Sequence, residues 1–424
     1  MLDLWSDWPM RVAILSGTIG LLDATGKYTF YLAKVLADAG HEVHCHADVD
    51  ARPSAFVANE LHLRTIWFQV VKPRMESVLM RLPVLYGFLL RVLTSLPDTR
   101  TRKISAELAK CDLVWIVYSH FTKLFLVPIA MKVRGSKIRI VFDYHGVTPV
   151  ELVHPGLAPA QTIDIERLAA FAPNPDLLLA HSKFAANELT SHSATTRKMT
   201  VIPLFIDPLL SRLCVERTVP NRSSAEPKRI LSVGRVASHK RIDILIRAAS
   251  LMKKQGWKLK IAIVGSIHAS HELERHRLEK LAASLGMEGD IVFTGLVSHD
   301  RLKQLYAQSD VLVITSAHEG FCLPIVEAMA FGLPVVASNV GSIPEVLGNA
   351  GELFDFPSHE QLAAELSKLL SKPSLMRHLC MAGRKRAALF SYDNFACNVR
   401  NLVAGLEPYG DQASGKQPMR RPTH

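Results

Sequence analysis

Short apolar runs alternate with longer stretches whose apolar residues recur at helical spacing, and the alternation persists along almost the whole chain. Runs bounded by polar or glycine-bearing turns read as strands, and apolar positions three and four apart read as helix faces. Met10 to Leu15 predicts a first strand, and Ser16-Gly17-Thr18-Ile19-Gly20-Leu21-Leu22-Asp23-Ala24-Thr25-Gly26 a loop. A helix follows with Tyr28, Tyr31, Leu32, Val35 and Leu36 on one face, and a second strand starts at His41-Glu42-Val43. Strand, helix and strand in so short a span form the βαβ unit of a doubly wound parallel sheet. Leu63 to Val70, Leu113 to Val117, Ile138 to Asp143, Leu177 to Ala180 and Thr200 to Leu204 predict the remaining strands of this half.

After Pro220, the segment Asn221 to Pro227 has the composition of a linker. The second half then repeats the alternation. Strands are predicted at Arg229 to Val233, Leu259 to Val264, Ile291 to Thr294, Val311 to Thr315, Pro334 to Ala337 and Glu352 to Phe354. Helices are predicted at Ile242 to Lys253, Glu272 to Leu285, His299 to Ala307, Pro324 to Ala330, His359 to Leu370 and Ser374 to Leu389. The fold class is therefore α/β, with two Rossmann-like domains over 1–218 and 228–389 joined by a linker at 219–227. Ligands of such sheets bind outside the carboxyl ends of the strands, which here face a cleft.

Composition narrows the picture. At 424 residues, 48% hydrophobic and 21% charged, the chain is globular and long enough for two cores. Cys45, Cys111, Cys214, Cys322, Cys380 and Cys397 show neither a C-x-x-C pair nor zinc spacing, and read as reduced thiols of a cytoplasmic protein. The N-terminus lacks a secretion signal, and no run approaches the roughly 20 apolar residues of a spanning helix. A net charge of +11 favours anionic partners. Nucleic acid is not expected among them, because the basic residues are spread out and no binding module is visible.

The chemistry concentrates in His318-Glu319-Gly320-Phe321-Cys322-Leu323-Pro324-Ile325-Val326-Glu327-Ala328-Met329-Ala330-Phe331-Gly332-Leu333-Pro334-Val335-Val336-Ala337. A strand leads into a glycine turn, and a proline marks the first turn of a helix, where a missing N–H is tolerated. The amides of Phe321, Cys322 and Leu323 are expected to point outward at an anion. Glu319 and Glu327, eight positions apart, repel phosphate and so should accept from hydroxyls on either side of it. Hydroxyls flanking a phosphate describe a sugar nucleotide. Upstream, Val233-Gly234-Arg235-Val236-Ala237-Ser238-His239-Lys240 follows the first strand of the second half. Gly234 permits close backbone approach, Arg235 offers a planar fork to phosphate oxygens, and Lys240 adds a compact charge.

These elements, with Gly341-Ser342-Ile343-Pro344-Glu345 further on, resemble the E-x7-E signature of the family 4 retaining glycosyltransferases. The resemblance implies the GT-B fold, an acceptor-binding first domain and a nucleotide-sugar-binding second domain. It implies that Glu319 reads the donor sugar, Glu327 the ribose, and Gly320, Phe321, Cys322 and Leu323 the phosphates. Where the family more often has glycine, this chain has Cys322. His145, in Phe142-Asp143-Tyr144-His145-Gly146, matches the family's strand-end histidine and is the candidate to touch the donor sugar or orient the acceptor; capping the following turn is the alternative. Glu151 and His154 are further candidates for the acceptor groove. Gly26 retains one glycine of the family's pair before the first helix, and is expected to supply a tight turn. Phe390-Ser391-Tyr392-Asp393 resembles the turn before a closing helix that crosses back to the first domain, here 390–408, leaving 409–424 as a disordered basic tail.

No metal or other cofactor is expected, because Arg235, Lys240 and the helix N-terminus supply positive charge; Asp48-Val49-Asp50 reads as a solvated loop. The implied reaction moves a hexose from a UDP- or GDP-sugar to a glycan or lipid-linked glycan. A basic apolar segment, 72–103, has seven Lys or Arg and suits either an anionic membrane face or a helix packed on the first sheet. Competing readings are an epimerase or phosphorylase on the same scaffold, or a silent sugar-binding protein.

Overall fold

The computed structural model describes residues 9–20, 23–51, 64–67, 99–211, 226–266 and 272–406, apart from 173, 194, 196 and 198. Most of the 72–103 segment, most of the linker and the tail lie outside these residues. Among those described, no helix is long and apolar enough to cross a membrane. The five described cysteines are free thiols.

Two parallel sheets carry the architecture. The first comprises β1 (Arg11–Gly20), β2 (Glu42–Ala51), β3 (Arg64–Trp67), β4 (Leu113–Tyr118), β5 (Arg139–Tyr144), β6 (Leu177–Ala180) and β7 (Met199–Val201), in the order β3-β2-β1-β4-β5-β6-β7. The second comprises β8 (Lys228–Val233), β9 (Leu259–Val264), β10 (Ile291–Gly295), β11 (Val311–Ile314), β12 (Val335–Ser338) and β13 (Glu352–Phe354), in the order β10-β9-β8-β11-β12-β13. Leu113 to Tyr118 are buried at every position, as expected where helices cover both faces of a parallel sheet. The strand order reverses between β1 and β4 in one sheet and between β8 and β11 in the other. Loops leaving those strands separate there and open a crevice.

Three boundaries differ from the sequence reading. β1 continues through β-branched Thr18 and Ile19 to Gly20, and pairs Ile19 with Asp50. Asp48 to Asp50 therefore belong to β2 and not to a loop. β7 stops at Val201, before Pro203, which has no N–H to extend a ladder. Gly26 makes no turn. It is buried in the first turn of helix α1 (Ala24–Asp38), where its N–H donates to the Asp23 carboxylate that caps the helix, 2.8 Å away.

The two domains touch through specific groups. Ser182 Oγ, just before helix α2 (Lys183–Ser193), donates to the Gly320 carbonyl at 2.8 Å. The Glu345 carboxylate accepts from the N–H groups of Lys183 and Phe184, neutralising the positive end of α2. Three further helices matter for the site: α3 (Ile242–Lys254), α4 (His299–Gln308) and α5 (Leu323–Ala330). Finally, α6 (Tyr392–Ala404) lays Phe395 against Tyr28 and Phe205 of the first domain, with ring centroids 5.4 and 4.4 Å apart. Tyr392 meets Tyr31 at 5.4 Å, and the Ile206 N–H donates to the Phe390 carbonyl.

Candidate active site

The loops after β8 and β11 leave neighbouring strands at the reversal of the second sheet. That adjacency, invisible in a linear reading, brings Gly234, Arg235 and Lys240 beside Ser316 and Glu319. Ser232, Val233, Gly234, Arg235, Lys240, Ile242, Ile314, Thr315 and Ser316 line one small pocket. Lys240 lies in a single 3-10 turn before α3, and its carbonyl accepts from Thr315 Oγ1 at 2.8 Å, which ties the two loops together. Arg235 is exposed and has no ion-pair partner recorded among the described residues.

Lys240 Nζ donates to Glu319 Oε1 at 2.7 Å, and Ser316 Oγ donates to the same oxygen at 2.6 Å. Burial pushes the Glu319 carboxyl up, but Lys240 and then Ser316 outweigh it and hold the group below its ordinary range. Glu319 is therefore a fixed anion and an acceptor. Its main chain is fixed as well. The Glu319 carbonyl accepts from the Ser342 N–H, and Gly341, at φ +59°, comes so close that a Cβ there would lie 2.7 Å from that carbonyl oxygen. This gives Gly341 in the downstream motif a steric reason.

α5 starts as the sequence predicts, with Pro324 in its first turn and Cys322 as N-cap. Cys322 takes the left-handed conformation, φ 69° and ψ 67°. Glycine has no steric penalty there, so a cysteine at this position carries backbone strain of about 1–2 kcal/mol. The Ile325 N–H turns back to the Cys322 carbonyl, whereas no partner is recorded for the N–H groups of Phe321, Cys322 and Leu323 among the described residues. Burial drives the Cys322 thiol well above its usual range, so it is a neutral wall of the site and not a nucleophile.

Glu327 sits one helical turn deeper. Tyr306 Oη of α4 donates to Glu327 Oε2 at 2.6 Å, and the Tyr306 ring stacks on Phe331 at 5.3 Å. Burial raises the Glu327 carboxyl above its ordinary value. From the opposite domain, Lys27 Nζ pairs with Asp207 Oδ2 at 2.9 Å, and its positive charge acts on Glu327. Lys27 thus stands where the first helix faces the second domain, a placement the sequence reading missed.

His145 follows β5, as read from the sequence. Its backbone carbonyl would lie 3.0 Å from a Cβ at Gly320, and Gly146 Cα would be 3.4 Å from the same atom. The two domains therefore meet glycine to glycine beside the candidate histidine. Glu151 and His154 lie in two short 3-10 turns just beyond; the His154 ring accepts from the Gly156 N–H, and neither residue has a recorded contact with His145. Two groups around His145, Asp143 and His181, escaped the sequence reading. Asp143, fully buried, accepts from Tyr28 Oη at 2.5 Å and Trp115 Nε1 at 2.8 Å through Oδ2. His181 follows β6, and β5 and β6 pair Tyr144 with Ala180, so the next residue on each strand is a histidine facing the other. Aligning the two strand ends would have found the pair.

Comparison with known proteins fits this geometry. The family model described as Glycosyltransferase Family 4 matches residues 25–209, and that described as Glycosyl transferases group 1 matches 217–386. The chain belongs to the family 4 glycosyltransferases. Among curated family 4 relatives, an MMP alpha-(1->4)-mannosyltransferase of Mycolicibacterium hassiacum is 33% identical over 228 residues, or 52% of each protein. The chain thus spans about half the length of that relative. Among solved structures, a sucrose-phosphate synthase from Thermosynechococcus elongatus superposes with a TM-score of 0.74 over 93% of this chain and 99% of its own, at 22% identity. Anabaena HepE in complex with UDP and glucose gives 0.71 over 94% and 100%, at 18% identity. These likenesses establish the GT-B fold.

Proposed function

We propose that this family 4 chain is a retaining hexosyltransferase that moves a sugar from a nucleoside diphosphate sugar to a glycan or lipid-linked glycan. The observation that carries the reading is the Lys240–Glu319 pair, at 2.7 Å, beside Arg235 and three amides that have no partner among the described residues. One arrangement thus offers cations and N–H groups for a diphosphate and a fixed carboxylate for a neighbouring hydroxyl.

In the reaction, the bond from the anomeric carbon to the β-phosphate oxygen breaks, and its electron pair leaves with the nucleoside diphosphate. Arg235, Lys240 and the α5 amides stabilise the charge that develops there. The acceptor hydroxyl forms the new bond on the same face, and its proton passes to the departing phosphate oxygen. Double displacement would need two carboxyl groups about 5 Å apart with one free to attack. Glu319 is held by Lys240 and Ser316, and Asp143 is fully buried beneath Tyr28 and Trp115, which supports same-face attack. UDP is the first base to test, since the Anabaena neighbour carries it. No metal is required in this reading. Residues 72–98, outside the described structure, are the segment to test for a membrane-bound acceptor.

Incubation with labelled UDP- and GDP-hexoses and an acceptor mixture tests the reading. Release of the nucleoside diphosphate with an axial anomeric linkage from an axial donor, read from proton couplings, is the expected result. Inversion, epimerised donor or mere retention of donor would overturn it. Glu327→Gln is expected to raise the donor KM about tenfold with kcat nearly unchanged, as loss of one charged hydroxyl contact implies.

A further inference from the structure

Asp143, His145 and His181 form a buried cluster whose hydrogen-bond donors and acceptors leave few consistent proton arrangements. His181 Nδ1 lies 2.7 Å from the Ile202 carbonyl, which can only accept, so Nδ1 carries a proton. His181 Nε2 lies 2.9 Å from Asp143 Oδ1 and 3.0 Å from His145 Nε2. Asp143 already takes two donors on its other oxygen and is held far below the usual carboxylate range; burial opposes this, and the His181 charge leads the effects that overcome it. Asp143 Oδ1 has no hydrogen-bond partner among the described residues, so with a neutral His181 this fully buried carboxylate would have no counter-charge 2.9 Å away. Nε2 therefore also carries a proton, and His181 is the imidazolium that neutralises Asp143. The proton it points at His145 requires His145 Nε2 to accept, which leaves the His145 proton on Nδ1. Among the described residues no partner is recorded for His145 Nδ1, nor is that nitrogen one of the buried unpartnered atoms.

We propose that His181, anchored by Asp143, is a positioning residue that fixes His145 as its Nδ1–H tautomer, making His145 a hydrogen-bond donor to an oxygen at the reaction centre and not a base. The proposal rests on the reading of His145 as a residue facing the transferred sugar. It goes further by assigning the proton, which an imidazole alone leaves open. The three ligating atoms lie within 4.8 Å of one another, close enough for a metal ion to replace the proton. Tetrahedral zinc with bonds of about 2.0–2.1 Å would hold its ligands roughly 3.3 Å apart. Two of the three separations, 2.9 and 3.0 Å, are shorter and match an ion contact and a hydrogen bond.

The charged groups acting on His145 are His181 after β6 and Asp143 of β5, and Tyr28 of α1 is the other titratable group against it, its ring 4.4 Å away. Burial and then the His181 charge hold His145 below its ordinary value. Removing His181 therefore raises the value at His145, and the acid limb of the rate profile must move to higher pH. His181→Gln is expected to cut transfer about tenfold and shift that limb up by about one pH unit. A merely structural role would leave the limb in place. Imidazole 15N spectra of the unaltered, substrate-free chain give the direct reading, with signals assigned through His145→Gln and His181→Gln. The expected result is a neutral His145 protonated at Nδ1 and a doubly protonated His181. A His145 protonated at Nε2, a neutral His181, an unmoved acid limb, or zinc retained at one ion per chain would each overturn the proposal. Because the spectra need no substrate, their failure is distinct from failure of the site reading, which would show as full transfer by His145→Ala.

Discussion

Replacing Lys240 with alanine is expected to lower kcat/KM for sugar transfer by about 10²–10³-fold and to destabilise the second domain by about 2–3 kcal/mol. Both effects come from one contact. In the proposed reaction the ammonium is a preset cation for the leaving diphosphate, and in the structure it neutralises Glu319, whose side chain is only 11% exposed. Without Lys240, Glu319 retains the Ser316 hydroxyl but loses its counter-charge. The carboxyl must then rise in pKa or remain as an uncompensated buried anion. Glu319→Ala in the Lys240→Ala background removes that stranded charge. Urea unfolding of the two single variants and the double variant should therefore give a coupling of at least about 1 kcal/mol, with the double variant no less stable than Lys240→Ala. Transfer should not recover. Additive stability losses would mean that the 2.7 Å contact is not a coupled pair.

Gly265→Ala is expected to be the most damaging single methyl group in the second domain. Gly265 follows β9, and a Cβ there would stand 2.0 Å from the Gly234 carbonyl oxygen and 3.2 Å from the Arg235 nitrogen. Those are backbone atoms, so no rotamer change relieves the clash. The loop after β8 must shift, and Arg235 moves with it. Overpacking combined with a φ of +153° should cost about 3–5 kcal/mol, lowering the melting midpoint by about 10 °C. Gly286→Ala separates the two causes. Gly286 also has positive φ, +66°, but nothing lies within 4 Å of its added Cβ, so it should cost only about 1 kcal/mol. Equal losses in the two variants would show that crowding at Gly265 is unimportant.

Much of the fold was legible because parallel strands buried on both faces leave uninterrupted apolar runs, as at Leu113 to Val117 and Val311 to Ile314. The local geometry of the candidate site was legible for a related reason. Glu319, Gly320, Pro324 and Glu327 are local in sequence, so strand end, turn and helix start could be read in one pass. Failures came where local signals competed. Glycines near the first loop suggested a turn at Gly26, but the Asp23 cap draws that residue into α1. Cys322 gave no sign of positive φ, because the conformation is imposed by the turn into α5 and not by the residue. The Asp143–His181 pairing is long-range. It depends on the β5–β6 register, which no local pattern encodes but which alignment of the two strand ends would have exposed. Contacts such as His299 with Asp207 at 3.4 Å, or His318 with Glu188 at 2.6 Å, require the relative placement of two domains and were out of reach.

The most direct measurement is a crystal structure with an unhydrolysed nucleoside diphosphate hexose. The account predicts diphosphate oxygens within about 3 Å of the Arg235 and Lys240 side chains and of the amides of Phe321, Cys322 and Leu323. The hexose hydroxyls should reach Glu319, and the ribose hydroxyls Glu327. A diphosphate held by other groups, with Lys240 still closed on Glu319, would contradict it.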